Sequence, residues 1–205
     1  MPMVFCPRCG QKLVSRPVDG HEHPVCDREN GGCGYIDFGR YALGVGGLVI
    51  REQNGERQVL LIQRNQEPNR GTWTIPGGFC EWNEMAEKAV VREVKEETGL
   101  DCESIGMVAF RHRVDPEVNN SYVVFSLRAM DGDLMEPNAE IAAVGFFNAE
   151  ALDHLPRLAP LSHTLASAAL ADKLAALPAT LVPGWKNNQP TSTLFMSTGP
   201  MSAGH

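Results

Sequence analysis

Residues 78–100, GFCEWNEMAEKAVVREVKEETGL, read as a helix whose apolar stripe is interrupted by acid. At about 100° per residue, Ala86, Ala89, Val90 and Val94 form one face suited to packing on a sheet. Glu93 and Glu97 fall near the middle of that face, one turn apart, with Glu96 at its edge, while Lys88 and Lys95 point the opposite way. Asn83 is the expected N-cap, which would put Glu84 and Glu87 in the first turn, where the helix dipole favours negative charge. Two carboxylates at i and i+4 repel one another, and partial burial raises the cost. A solvated acidic face paired to Arg92 and the lysines is the ordinary explanation of such a run, but its position on the apolar stripe argues against it. A hard divalent cation, which takes carboxylate oxygens and bridges them to phosphates, would relieve the conflict.

The spacing Gly78, five residues, Glu84, seven residues, then Arg92-Glu93-Val94-Lys95-Glu96-Glu97-Thr98-Gly99-Leu100 resembles the Nudix box at every defining position. Gly71 to Phe79 looks like the strand and loop that lead into that box, and Glu140 looks like the downstream glutamate many members place beside the metals. The resemblance covers roughly residues 41–155. It implies an α/β fold, the Nudix α/β/α sandwich with a mixed sheet, and hydrolysis of a diphosphate bond in a nucleoside diphosphate linked to another group. It also implies Mg²⁺ or Mn²⁺ held by Glu93, Glu96, Glu97 and the backbone carbonyl of Gly77, with Arg92 pairing to a box carboxylate and Glu84 structural. The general base stays open between Glu140 and a box glutamate, Glu96 or Glu97. Gly77 and Gly78 let the backbone approach ligand and metal closely.

Ahead of this region, residues 1–40 are rich in Cys, Gly and polar groups and need a staple. Cys6-Pro7-Arg8-Cys9-Gly10 reads as a metal knuckle, in which two thiolates from one tight loop face one ion. Cys26 and Cys33 form a second pair with a wider loop, and Cys33-Gly34-Tyr35 has the ending such knuckles show. A structural Zn²⁺ on Cys6, Cys9, Cys26 and Cys33 is expected, with His21 or His23 open as replacements for one thiolate and disulfides or free thiols as the alternative. The segment resembles the zinc ribbons, small β subdomains, that precede some Nudix hydrolases.

From residue 41 the pattern changes to strands: 42–51 and 57–64 across a turn at Asn54-Gly55, then 72–75, 105–113, 121–130 and 143–147. Residues 156–178 are expected to hold a helix, Leu161 to Leu177 after Pro160, that packs on its own domain or serves a homodimer contact. Residues 179–205, with three prolines and many small polar residues, are expected to be a loose tail. A chain of 205 residues with 43% hydrophobic content suffices for one domain and an appendage. Its net charge of −7 argues against broad attraction to nucleic acid or anionic membrane. No segment is apolar enough to span a bilayer and no secretion signal is seen, so a cytoplasmic location is expected.

Arg64, Arg70, Arg111 and Arg113 are candidates to grip phosphates, with solvated surface arginine as the ordinary role for each. Trp73 and Phe79 are expected in the core, and Cys80 and Cys102 as reduced thiols without a role. Pro116 stands where the ADP-ribose pyrophosphatase subgroup has a proline, whereas residues 101–120 lack the Ser-Gln-Pro-Trp-type motif of the NADH pyrophosphatases. ADP-ribose or a dinucleotide such as NADH or FAD is the expected substrate class, with NADH placed lower by the missing motif. The competing class is a non-catalytic module that senses a nucleotide or binds RNA. Against it, the box has lost no acidic residue, and residues 1–40 lack a basic patch.

Overall fold

The computed structural model describes residues 3–114, 119–183 and 190–196, so Pro116 lies outside the described residues. The chain divides into two compact units, Met1–Ala42 with His112–Ser121, and Leu43–Arg111 with Tyr122–His205. In the first, strands β1 (Val14–Val18) and β2 (His21–Val25) pair antiparallel. They reverse at Asp19-Gly20, both with positive φ (49° and 84°), as a two-residue hairpin requires. Among the described residues, the buried apolar core of this unit is Cys6, Leu13 and Cys26.

The second unit is built on one sheet. Strands β3 (Tyr41–Gln53), β4 (Glu56–Arg64), β5 (Trp73–Thr74), β6 (Gly77–Phe79), β7 (Asp101–Arg113), β8 (Asn119–Asp131) and β9 (Ile141–Phe147) belong to it. Their order is β5-β4-β3-β8-β7, with β6 added on β3 and β9 on β4. The expected mixed sheet with helices is the architecture found. Side-chain alternation explains why both faces are covered. Val45, Val49, Leu60 and Phe125 point to one face and pack with Ala89, Val90 and Val94 of helix α1 (Ala86–Thr98). Leu48, Val59, Leu61 and Val124, each one residue out of step, point to the other face. There they meet Leu152 of α2 (Ala149–His154) and Leu165, Ala166 and Ala169 of α3 (Pro160–Leu170). Gly47 lets α1 cross β3 closely, since a Cβ there would lie 2.7 Å from Val94 Cγ2 and 2.8 Å from Leu127 Cδ1.

Several boundaries differ from the sequence expectation. The α1 N-cap is Met85, not Asn83, and it makes no side-chain cap bond. Glu84 is engaged outside the helix: it accepts the Glu81 N–H at 2.8 Å and pairs with Arg92, so of the two expected acids only Glu87 lies in the first turn. Strand β7 starts at Asp101, two residues after the left-handed Gly99 cap (φ 84°), rather than at residue 105. Helix α3 stops at Leu170 because Asp172 adopts φ 56°, which ends the helix seven residues short of Leu177. Leu177 instead pairs with Met107, each N–H bonding the other's carbonyl at 2.7 and 3.0 Å. The buried stripe of α3 is spent on its own sheet. The expected loose tail is corrected in its described part: β10 (Ala179–Pro183) and β11 (Pro190–Phe195) pair antiparallel. The Phe195 ring anchors this hairpin edge-on against Phe125, with centroids 5.3 Å apart.

Candidate active site and cysteine cluster

Helix α1 and strand β6 bring the box residues together. The Gly77 N–H donates to Glu97 Oε2 at 2.7 Å, and a Cβ on Gly78 would lie 2.5 Å from Glu93 Oε2. Both glycines are therefore sterically required beside the carboxylates. A Cβ on Gly77, at φ 152°, would also strike the Val45 carbonyl at 2.1 Å. Arg92 lies between the carboxylates. It donates to Glu84 at 2.7 Å, to Glu93 at 2.9 Å, to Glu96 at 3.0 Å and to the Phe79 carbonyl at 3.2 Å. Helix and loop are thereby tied at one guanidinium, and Glu84 is part of that tie. The side chain of Glu93 is 15% exposed and that of Glu96 59%, so Glu96 sits on the rim.

Electrostatics make the inner pair costly. Burial pushes the Glu97 carboxyl up to about 7, against the Gly77 hydrogen bond, and the charges of Glu93 and Glu140 add to the rise while Arg64 opposes it. Glu93 is also raised, by burial first and by Glu96 and Glu84, with Arg92 opposing. Glu84 lies below its ordinary value because it accepts from Arg92 and from the Glu81 N–H. A half-buried carboxylate pair of this kind, served by one arginine and one backbone N–H, is a donor set suited to a hard divalent cation.

Arg64 and Glu140 reach the neighbourhood of Glu97 through the sheet. Arg64 ends β4 opposite Ile141 on β9, and the Asn65 N–H bonds the Glu140 carbonyl at 2.8 Å. Asn138 holds the turn by accepting the N–H groups of Glu140 and Ile141 at 2.7 and 2.8 Å. Arg70 is exposed in the loop after β4, with no partner among the described residues. Arg111 lies over the Tyr122 ring, 5.4 Å from its centroid. Arg113 is exposed at the end of β7. Trp73 packs edge-on to Phe147 at 5.0 Å. Phe79, expected in the core, is 62% exposed. Its neighbour Gly78 faces Glu93, so alternation sends the Phe79 ring to the opposite side of β6, opposite side-chain-free Gly44. Tyr122 was missed by sequence reasoning, since a tyrosine in an alternating strand looks like any half-buried sheet residue. The one available signal was the glycine pair Gly44 and Gly46 in the strand that faces it.

The four N-terminal thiols converge as the spacing suggested. Their sulfurs all lie within 4.8 Å of one another, with Cys6–Cys33 at 3.5 Å and Cys9–Cys26 at 3.4 Å. These separations are far beyond an S–S bond and close to those of thiolates around one tetrahedral ion. The two knuckles share one plan: Cys6 N bonds Gln11 O and Gly10 N bonds Cys6 O, as Cys26 N bonds Tyr35 O and Gly34 N bonds Cys26 O. The longer second loop is absorbed by a 3-10 turn, Arg28–Asn30, folded back on the Asp27 carbonyl, which accepts Gly32 N–H at 2.8 Å. Neither histidine joins the set. His23 packs on Phe38 with Nδ1 3.3 Å from the Asp37 carbonyl, and His21 is exposed on β2. Cys80 and Cys102 lie partly buried against the α1-side core.

Known proteins resemble this chain in sequence and fold. The ADP-ribose pyrophosphatase of Methanocaldococcus jannaschii is 36% identical over 120 residues, 58% of this chain and 66% of that protein. The NAD-capped RNA hydrolase NudC of Vibrio vulnificus is 27% identical over 158 residues, 77% of this chain and 54% of that protein. This chain thus spans less than two thirds of the length of the curated relatives it matches. A crystal structure of a NUDIX hydrolase from Nitrosomonas europaea matches 83% of this chain and 92% of its own, with a TM-score of 0.66 at 25% identity. The NUDIX domain matches residues 40–167, more than half of the sequence and including the carboxylate helix, its glycine loop and both sheet faces, and the chain belongs to that family.

Proposed function

We propose that this chain hydrolyses the diphosphate bond of a nucleoside diphosphate linked to another group, ADP-ribose or a dinucleotide such as NADH or FAD. The observation that carries this reading is the Glu93–Glu97 pair, half-buried and repelling, held at a glycine loop by Arg92 and the Gly77 N–H. The relatives named for ADP-ribose and NAD-capped RNA support the substrate class. Glu93, Glu96 and Glu97, with the Gly77 carbonyl, would hold Mg²⁺ or Mn²⁺. Such ions, when bound, neutralise phosphate charge and lower the pKa of water.

The remaining roles fall to the protein's own groups. Arg92 fixes Glu84, Glu93 and Glu96 in register, so it positions carboxylates and does not bind substrate. Glu140 is the general base of this reading: it acts electrostatically on Glu97, is exposed, and its side chain has no partner among the described residues. Arg64, Arg70 and Arg111 bind the phosphates. Residues 1–40 form a zinc ribbon with a structural Zn²⁺ on Cys6, Cys9, Cys26 and Cys33, and 41–155 the catalytic domain. Six cysteines outside any disulfide suit a reducing compartment, the cytoplasm. Among the described residues no helix is long and apolar enough to cross a membrane.

The test is incubation with Mg²⁺ or Mn²⁺ and ADP-ribose, NADH, FAD, coenzyme A, diadenosine polyphosphates and deoxynucleoside triphosphates, with products separated by chromatography. Release of AMP from ADP-ribose or a dinucleotide is expected. A panel that stays intact would overturn the reading.

A further inference from the structure

We propose that the hydroxyl of Tyr122, with Arg111 stacked on its ring, is a substrate-binding group that grips the diphosphate from the side opposite the carboxylate helix. The inference rests on the diphosphate reading of the site. Its ground is the way β3 is built. Gly44 and Gly46 have no side chains, and the Tyr122 ring occupies that space: a Cβ on Gly44 would lie 2.6 Å from Tyr122 Cδ2, and one on Gly46 would lie 2.4 Å from Tyr122 Oη. The ring is thus laid along β3 with its hydroxyl at Gly46. Gly46 is the register partner of Gly77, whose N–H binds Glu97 at 2.7 Å. Phenol and carboxylate therefore flank one glycine pair from its two sides.

The charges around the hydroxyl agree. Burial raises the Tyr122 phenol, Glu97 and Glu93 raise it further, and Arg111 opposes them, so it stands between the acidic pair and a guanidinium. At neutral pH it is a neutral donor. Tyr122 is half-buried, its hydroxyl makes no hydrogen bond among the described residues and is not fully enclosed, so it is free to donate to a ligand's acceptor oxygen. A diphosphate seated at Glu93 and Glu97 supplies an acceptor oxygen there, and Arg111 supplies the neighbouring positive charge.

The test compares wild type with Tyr122→Phe, which keeps the ring and its stacking. The probe is the non-hydrolysable adenosine 5′-(α,β-methylene)diphosphate, titrated calorimetrically in Mg²⁺. A hydrogen bond to a charged oxygen predicts binding weaker by about tenfold or more. The melting temperature and the affinity for Mn²⁺ alone should stay unchanged, and with a cleaved substrate KM should rise more than kcat falls. Equal probe affinities, or a parallel loss of Mn²⁺ affinity, would overturn the proposal. Wild type that binds the probe but cleaves nothing would sink the hydrolysis reading and leave the Tyr122 comparison standing.

Discussion

Glu97 shows how one residue can be unfavourable for the fold and necessary to the site. Its carboxyl moves from 4.5 to about 7, chiefly through burial, with Glu93 and Glu140 adding to the shift. Between those values the folded, metal-free chain holds a proton that the unfolded chain has released, so stability falls as pH rises through the window. The full shift corresponds to about 3 kcal/mol, present below pH 4.5 and lost above pH 7. Chelator-treated wild type should therefore melt at lower temperature as pH goes from 5 to 8. Glu97→Gln should flatten that slope and raise the melting temperature at pH 8 by roughly 5–10 °C, while abolishing turnover. Saturating Mg²⁺ should flatten the wild-type slope as well. Identical slopes for both proteins, followed by circular dichroism, would refute the assignment of the cost to this carboxyl.

At the level of elements, the sequence was legible where function or geometry broke a pattern. Acid on the apolar stripe of α1 identified the carboxylate helix, and Asn54-Gly55, with φ of 53° and 77°, gave the β3–β4 turn. What stayed hidden depended on partners distant in the chain. The start of α1 was displaced because Glu84 answers to Arg92 rather than to the helix end, and Phe79 turned outward because Gly78 had to face Glu93. The leucine spacing past Leu170 ran on in sequence, but Leu177 is claimed by Met107, and the described part of the tail is paired with itself and seated on Phe125. The glycines of β3 are clearance for Tyr122 on one face and for α1 on the other. Gly47→Ala tests that clearance, since its Cβ would meet Val94 and Leu127 under the helix. Overpacking should cost about 1–3 kcal/mol in urea unfolding. The lifted helix should also weaken Mn²⁺ binding, because Glu93 and Glu97 ride on it. Unchanged Mn²⁺ affinity in a destabilised variant would mean that the carboxylates are fixed by Arg92 and Gly77 alone.

Taken as a whole, the molecule is held by two different kinds of force. The second unit buries apolar side chains on both faces of its sheet, and its core needs nothing further. The first has, among its described residues, two cysteines and a leucine as its buried core, too little to offset the entropy of ordering some forty residues. Its four converging thiols are where the missing free energy would come from, since metal binding to deprotonated thiolates is coupled to folding. Burial works to raise the Cys6 thiol, yet backbone N–H groups of Arg8 and Cys9 and the neighbouring thiols bring it to about 7, which eases loss of its proton. Protein purified without chelator should therefore carry about one zinc per chain. Stripping it, or replacing Cys26 with Ser, should make the amides of β1 and β2 exchange freely while β3, β4 and β8 stay protected. Hydrogen exchange read by mass spectrometry separates the outcomes. Protection of β1 and β2 that survives zinc removal would show that the hairpin folds without the ion, and a zinc-free preparation with both units protected would end the ribbon reading altogether.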